Sequence, residues 1–67
     1  MITIQDHIRQ SNSEFIFMGE FEENEFSVEV EFCKTDSGME IGIQDTLGMD
    51  YAELVDAISE YVLKNLS

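Results

Sequence analysis

Between Glu20 and Glu31 the chain reads Glu-Phe-Glu-Glu-Asn-Glu-Phe-Ser-Val-Glu-Val-Glu. From Glu25 onward acidic or polar residues alternate with apolar ones. Phe26, Val28, Val30 and Phe32 therefore share one side of an extended strand, and Glu25, Ser27, Glu29 and Glu31 share the other. Such a period-two pattern specifies a half-buried β-strand with one side for a core. Its acidic side is the main functional clue.

A short neighbour precedes this strand. Glu14 to Glu22 also alternates, and a two-residue turn at Glu23-Asn24 would fold the two strands into a hairpin. In that register Phe21 faces Phe26, Gly19 faces Val28, Phe17 faces Val30 and Phe15 faces Phe32. All the large aromatics then fall on the core side, which is how a buried face selects register. Asn24 tolerates the positive φ that such a turn needs. Lys34-Thr35-Asp36-Ser37, followed by Gly38, marks a second turn. Pairing Phe32 with Met39 brings in a third strand, Gly38 to Gln44, with Ile41 and Ile43 on the core side.

The ends of the chain read as helices. Ile4 and Ile8 are four apart and Thr3 offers a cap, so Met1 to Gln10 is expected to form a short first helix, closed by Ser11-Asn12-Ser13. His7 lies beside that apolar face and is expected at the surface or boundary. Asp50 and Glu53 have capping-box spacing, and Met49 with Leu54 forms a hydrophobic staple. Tyr51, Leu54, Val55, Ile58, Tyr61, Val62 and Leu66 make one apolar stripe to lie across the sheet, and Lys64 suits the helix C-terminus. The expected fold is α+β in the order α-β-β-β-α. A three-stranded antiparallel sheet carries the C-terminal helix across one face, and residues 1–67 form a single domain.

Charge limits the function classes. Fifteen acidic residues face three basic ones, a formal net charge of −12. This repels nucleic acid and anionic lipid, and it favours a cationic partner. Solubility alone is usually met by a net charge of about 2–8 in a small domain. The single Cys33 excludes an internal disulfide, and no stretch approaches the roughly 18 apolar residues of a membrane span. A cytoplasmic location is the simplest expectation.

The expected register also composes the open side of the sheet. It gathers Glu14, Ile16, Met18, Glu20 and Glu22 with Glu25, Ser27, Glu29, Glu31 and Cys33, and with Glu40, Gly42 and Gln44. Glu22 opposes Glu25, and Glu31 opposes Glu40. Like charges directly across a ladder cost up to about 1 kcal/mol each. Carboxylates two residues apart on a strand are roughly 6.7 Å apart, comparable to the phosphate spacing of a nucleic-acid backbone. The partner-binding residues expected are Glu20, Glu22, Glu23, Glu25, Glu29, Glu31, Asp36 and Glu40. Ile16 and Met18 are expected to be apolar anchors within them. Cover by the first helix, or by a second copy of the domain, is the alternative for Ile16 and Met18.

Catalysis is not expected. Solvated carboxylates on an open strand lack the divergent environments of an acid–base pair, and Cys33 and His7 sit in separate elements. Lys34 to Gly38 is too short and too poor in acids for a calcium loop. No metal or other cofactor is expected. Leu47-Gly48-Met49-Asp50-Tyr51 superficially matches a carrier-protein motif, with Tyr51 where the modified serine would stand. The double-stranded RNA-binding domain shares the expected element order but uses lysines where this chain has Asp50, Glu53 and Asp56.

Ile4-Gln5-Asp6-His7-Ile8-Arg9 fits an Ile-x-Asp-x-Ile-Arg pattern. With the acidity, the small size and the element order, it resembles the small anti-CRISPR proteins of phages and prophages. Within these it resembles a type II-A group that imitates DNA and blocks PAM recognition by an RNA-guided Cas nuclease. That family's further acidic helical segment has no counterpart before Ser67. The resemblance implies a non-catalytic inhibitor of a basic nucleic-acid-binding defence protein, such as a Cas nuclease or Cas complex, acting in a host cytoplasm. The alternative expectation is a self-associating interaction module, a homodimer packed through Ile16, Met18 and Cys33.

Overall fold

The computed structural model describes residues 1–66. Four strands and one helix follow in the order β1 (Ile2–Arg9), β2 (Glu14–Phe21), β3 (Asn24–Thr35), β4 (Gly38–Ile43) and α1 (Tyr51–Asn65). The strands form an antiparallel meander, β1-β2-β3-β4. The α+β class, the three expected strands and the C-terminal helix are all present. The expected first helix is a fourth strand instead, so the order is β-β-β-β-α.

The reason lies in the residues of β1. Ile2, Thr3, Ile4 and Ile8 are β-branched and suit a pleated surface better than an isolated short helix. Simple alternation is hidden because the ladder slips at Gln5. Ile4 pairs with Gly19, yet Asp6 already pairs with Met18. One extra residue in a strand is a bulge, and it exchanges the two faces beyond it. Ile2 and Ile4 lie on the helix-covered face, where His7 and Arg9 replace them after the bulge. Ile8 is thereby turned to the open face.

Gly19 permits the close approach of the two strands. A Cβ built there would sit 2.1 Å from the Thr3 carbonyl oxygen. Gly19→Ala is expected to cost roughly 2–3 kcal/mol, as overpacking does. A urea midpoint unchanged by this substitution would contradict the β1–β2 pairing.

The β2–β3 hairpin is shifted by two residues from its expected register. Phe21 pairs with Asn24, Gly19 with Phe26, Phe17 with Val28 and Phe15 with Val30. The turn is Glu22-Glu23, with φ of 50° and 69°, rather than Glu23-Asn24. Asn24 starts β3 instead of occupying the turn. A shift of two preserves faces, so the same side chains remain in the core. The β3–β4 register moves likewise: Phe32 pairs with Ile41 and Val30 with Ile43, around a turn at Asp36-Ser37.

Helix α1 crosses the apolar face. Asp50 caps it, its Oδ1 accepting the Glu53 amide at 3.1 Å. Leu54 and Ile58 are fully buried against Ile2, Phe17, Val28, Val30 and Met49. The staple pair Met49 and Leu54 is buried as expected. Tyr51 is more exposed than its place in the stripe suggests, with its hydroxyl donating to the Ile41 carbonyl at 2.7 Å. His7 is half-buried, its Nδ1 lying 2.8 Å from the Tyr61 hydroxyl.

Left-handed backbone costs an L-residue other than Gly roughly 1–2 kcal/mol, and a turn with both φ values positive prefers Asn-Gly. Replacing Glu22-Glu23 by Asn-Gly should therefore raise unfolding stability by about 1–2 kcal/mol, a gain of several degrees in Tm for a chain of this size. Thermal and urea unfolding of the double variant measure it.

Candidate partner-binding surface

The open face of the sheet is set by the same ladders. From β1 it carries Thr3, Asp6 and Ile8; from β2, Glu14, Ile16, Met18 and Glu20. From β3 come Glu25, Ser27, Glu29, Glu31 and Cys33, and from β4, Glu40 and Gly42. All the apolar residues packed with the core are elsewhere, and Ile8, Ile16 and Met18 take no part in that cluster. No first helix covers Ile16 and Met18, because the segment expected to form it is β1.

Opposed acids occur, but the pairs differ from those expected. Glu20 faces Glu25 and Glu14 faces Glu31. Glu22 instead lies in the turn. Glu31 has Gly42 as its β4 partner, while Glu40 pairs with Cys33. The two-residue slip in each hairpin causes both changes.

The backbone pattern sharpens the contacts. The Phe32 amide donates to the Ser13 carbonyl at 2.8 Å, which marks the Ser13 position as a hydrogen-bonded one in the β2–β3 ladder. Alternation then makes Glu14–Glu31, Ile16–Glu29, Met18–Ser27 and Glu20–Glu25 the non-hydrogen-bonded pairs. Their Cα atoms approach to roughly 4.5 Å, the closer of the two spacings. Both like-charge pairs therefore fall where side chains are nearest.

Between these pairs lies an apolar island. Ile8 faces Ile16 across β1–β2, with Met18 two residues along. Ile16 and Met18 are half-buried and Ile8 is 52% exposed. Ile8 was missed by sequence reasoning because only the Gln5 bulge brings it to this side. Glu20, Glu25, Glu29, Glu31 and Glu40 share the face with Ile16 and Met18. Glu22 and Glu23 lie together at one hairpin tip, and Asp36 lies at the other.

The basic residues are segregated. Arg9 shares the helix-covered face with Phe15, its guanidinium 5.9 Å from that ring, and donates to the Ser11 carbonyl and Asn12 Oδ1. Lys34 pairs with Met39 on the same side, and Lys64 is in the last turn of α1. Every Lys and Arg of the chain is thus placed off the acidic face.

Cys33 is exposed beside Glu31 and Glu40. Its thiol is pushed above the ordinary range by local desolvation, then by the Glu31 carboxylate and a hydrogen bond to it, and by Glu40. A raised thiol pKa means less thiolate at neutral pH and a weak nucleophile. Iodoacetamide should alkylate Cys33 more slowly than free cysteine at pH 7.5, and Glu31→Gln should speed the reaction. Cys33 also lies beyond the ladder positions of Ile16 and Met18, so the three do not form one apolar patch.

Among the described residues no group of His, Cys, Asp and Glu is arranged to hold a metal ion. None of the described helices is long and apolar enough to cross a membrane. No protein-family model matches the chain, and comparison with curated proteins and with solved structures finds no match.

The register predicts unequal effects of charge reversal. Glu31→Lys creates an opposite-charge pair with Glu14 and should stabilise the free domain by about 0.5–1 kcal/mol. Glu40→Lys, opposite Cys33, should gain less. Equal gains in low-salt unfolding would contradict the ladder.

Proposed function

We propose that this protein is a small non-catalytic inhibitor that occupies the cationic nucleic-acid site of another protein. The observation that carries this reading is the charge segregation of the sheet. Glu14, Glu20, Glu25, Glu29, Glu31 and Glu40 share one uncovered face, with two like-charge pairs at the closest ladder positions. A sequence selected only for folding would relieve such pairs with Lys. The acidic turn Glu22-Glu23, held at positive φ, is a second cost that folding does not require.

The surface suits a groove lined by Lys and Arg. Carboxylates at roughly 6.7 Å intervals along a strand present charge in rows, as a phosphate backbone does. Ile8, Ile16 and Met18 supply an apolar centre between acidic ends, the composition of a binding hot spot with a polar rim. Inhibition follows from occupancy alone, since nucleic acid and the inhibitor compete for one set of cations. The resemblance to anti-CRISPR proteins names one class of target, an RNA-guided Cas nuclease. The hexapeptide that carries it lies in β1, so charge placement is the stronger support.

Capture from a host lysate at low salt, followed by elution with nucleic acid, tests the proposal. A basic nucleic-acid-binding protein should be released by the competitor, and its affinity should fall steeply with salt. Glu25→Lys with Glu29→Lys should weaken capture more than tenfold while Glu53→Lys with Glu60→Lys on α1 leaves it unchanged. Recovery of only a salt-resistant homodimer, broken by Ile16→Glu, would replace inhibition by self-association.

A further inference from the structure

We infer that the unpaired edge of β3, from Asn24 to Val28, takes up an extended segment of a partner protein in which basic and apolar residues alternate. The edge exists because the two strands differ in length. β3 has 12 residues and β4 only 6, and their ladder ends at Val30–Ile43. One further bond, from the Gln44 amide to the Glu29 carbonyl, closes the pairing. It also fixes which backbone groups point outward. Glu29 and every second residue face the β4 side, so the amides and carbonyls of Glu25 and Ser27 face a position that no strand fills. Phe26 and Val28 direct theirs to β2.

The outer edges of the sheet are blunted, and this one is not. In β1 the ladder is broken by the Gln5 bulge, and the Asp6 carboxylate accepts the His7 amide at 2.8 Å. In β4 the Tyr51 hydroxyl occupies the Ile41 carbonyl at 2.7 Å. Side chains and bulges of this kind prevent strand pairing at an exposed edge. No comparable device meets Glu25 or Ser27 among the described residues.

Two cavities flank the open edge and define its occupant. One, of about 490 Å³, is lined by Ile16, Ser27, Glu29, Asp45 and Leu47 among others. The second, of about 310 Å³, lies among Phe21, Glu25, Phe26, Leu47 and Met49. Leu47 borders both and is 52% exposed. A strand added here continues the pleat. Its residues opposite Glu25 and Ser27 project onto the acidic face, where Glu25, Glu29 and Asp45 favour Lys or Arg. The residues between them project toward Phe26, Leu47 and Met49, which favour an apolar side chain. A second copy of this chain is a poor occupant, because its net charge of −12 would meet the same carboxylates.

Amide hydrogen exchange on the full-length protein, with a blocked peptide Lys-Val-Arg-Val-Lys as probe, tests the inference independently of nucleic-acid imitation. In the free protein the Glu25 and Ser27 amides should exchange quickly while Phe26 and Val28 are protected. Saturating peptide should slow Glu25 and Ser27 at least tenfold. The same peptide methylated on the backbone nitrogens of its Lys and Arg residues keeps its charge but loses its ladder donors, and it should bind at least tenfold more weakly. Equal binding of the two peptides would reduce the effect to charge attraction and overturn the proposal. Protection of Glu25 and Ser27 without peptide would overturn it too, by showing the edge covered by this chain or by a second copy.

Discussion

Phe17 is the point where the two layers of this protein meet. It is fully buried, and its ring lies 5.8 Å from Phe15, 6.2 Å from Phe32, 6.4 Å from His7 and 5.9 Å from Tyr61. One side chain thus joins β1, β2, β3 and α1. Fixing Phe17 inward fixes the orientation of its whole strand, because neighbours on a strand must alternate. Ile16 and Met18 are then outward by necessity. The cross-strand ladder carries the same decision to β3, where Val28 faces inward and Glu29 outward. The acidic face is therefore a geometric consequence of the core. Its composition is not, since alternation demands only polar residues there and leaves their sign free.

That freedom is what gives the choice of Glu meaning. A domain of this size has a thin core, and total stability of roughly 5 kcal/mol is typical of small scaffolds. Two like-charge pairs and a turn of two left-handed glutamates each act against that reserve. Lys at Glu20 or Glu31 would convert repulsion into attraction without touching the core. The chain has Lys and Arg, but places Arg9 beside Phe15 and Lys34 beside Met39 on the opposite face. Solubility accounts for charge in general. It does not require like charges at directly facing ladder positions.

The hairpins and α1 were legible because each rests on a short-range signal. Alternation in β3, capping by Asp50 and the Met49–Leu54 staple all depend on residues close in sequence. The exact registers were not legible, since a shift of two residues keeps every face and leaves hydrophobic matching almost unchanged. Turn chemistry decided between them, and Glu22-Glu23 carries no signal that marks it as the turn. β1 is masked because the spacing of Ile4 and Ile8 fits a helix. Its β-branched content was the available contrary sign. The bulge at Gln5, which sends Ile8 outward, arises from pairing with β2 and the bare Gly19, and no local pattern reveals it.

The carboxylates of the open face, on one hand, and its apolar island with the open β3 edge, on the other, would impose different demands on a partner. Charge on the open face acts at a distance and is screened by salt, so in the proposed complex it would govern how fast and how selectively a cationic surface arrives. Ladder bonds to Glu25 and Ser27, like burial of Ile8, Ile16 and Met18, act only at contact and are insensitive to salt. The two sets adjoin, because Glu25 and Glu29 bracket Ser27 on the strand whose edge is free. A nucleic acid could satisfy neither the edge amides in register nor the apolar island. A protein groove built for nucleic acid meets the carboxylates equally well and adds the contacts that only another polypeptide makes. Under the proposed reading, this asymmetry is what rows of carboxylates would gain from being carried on a β-sheet.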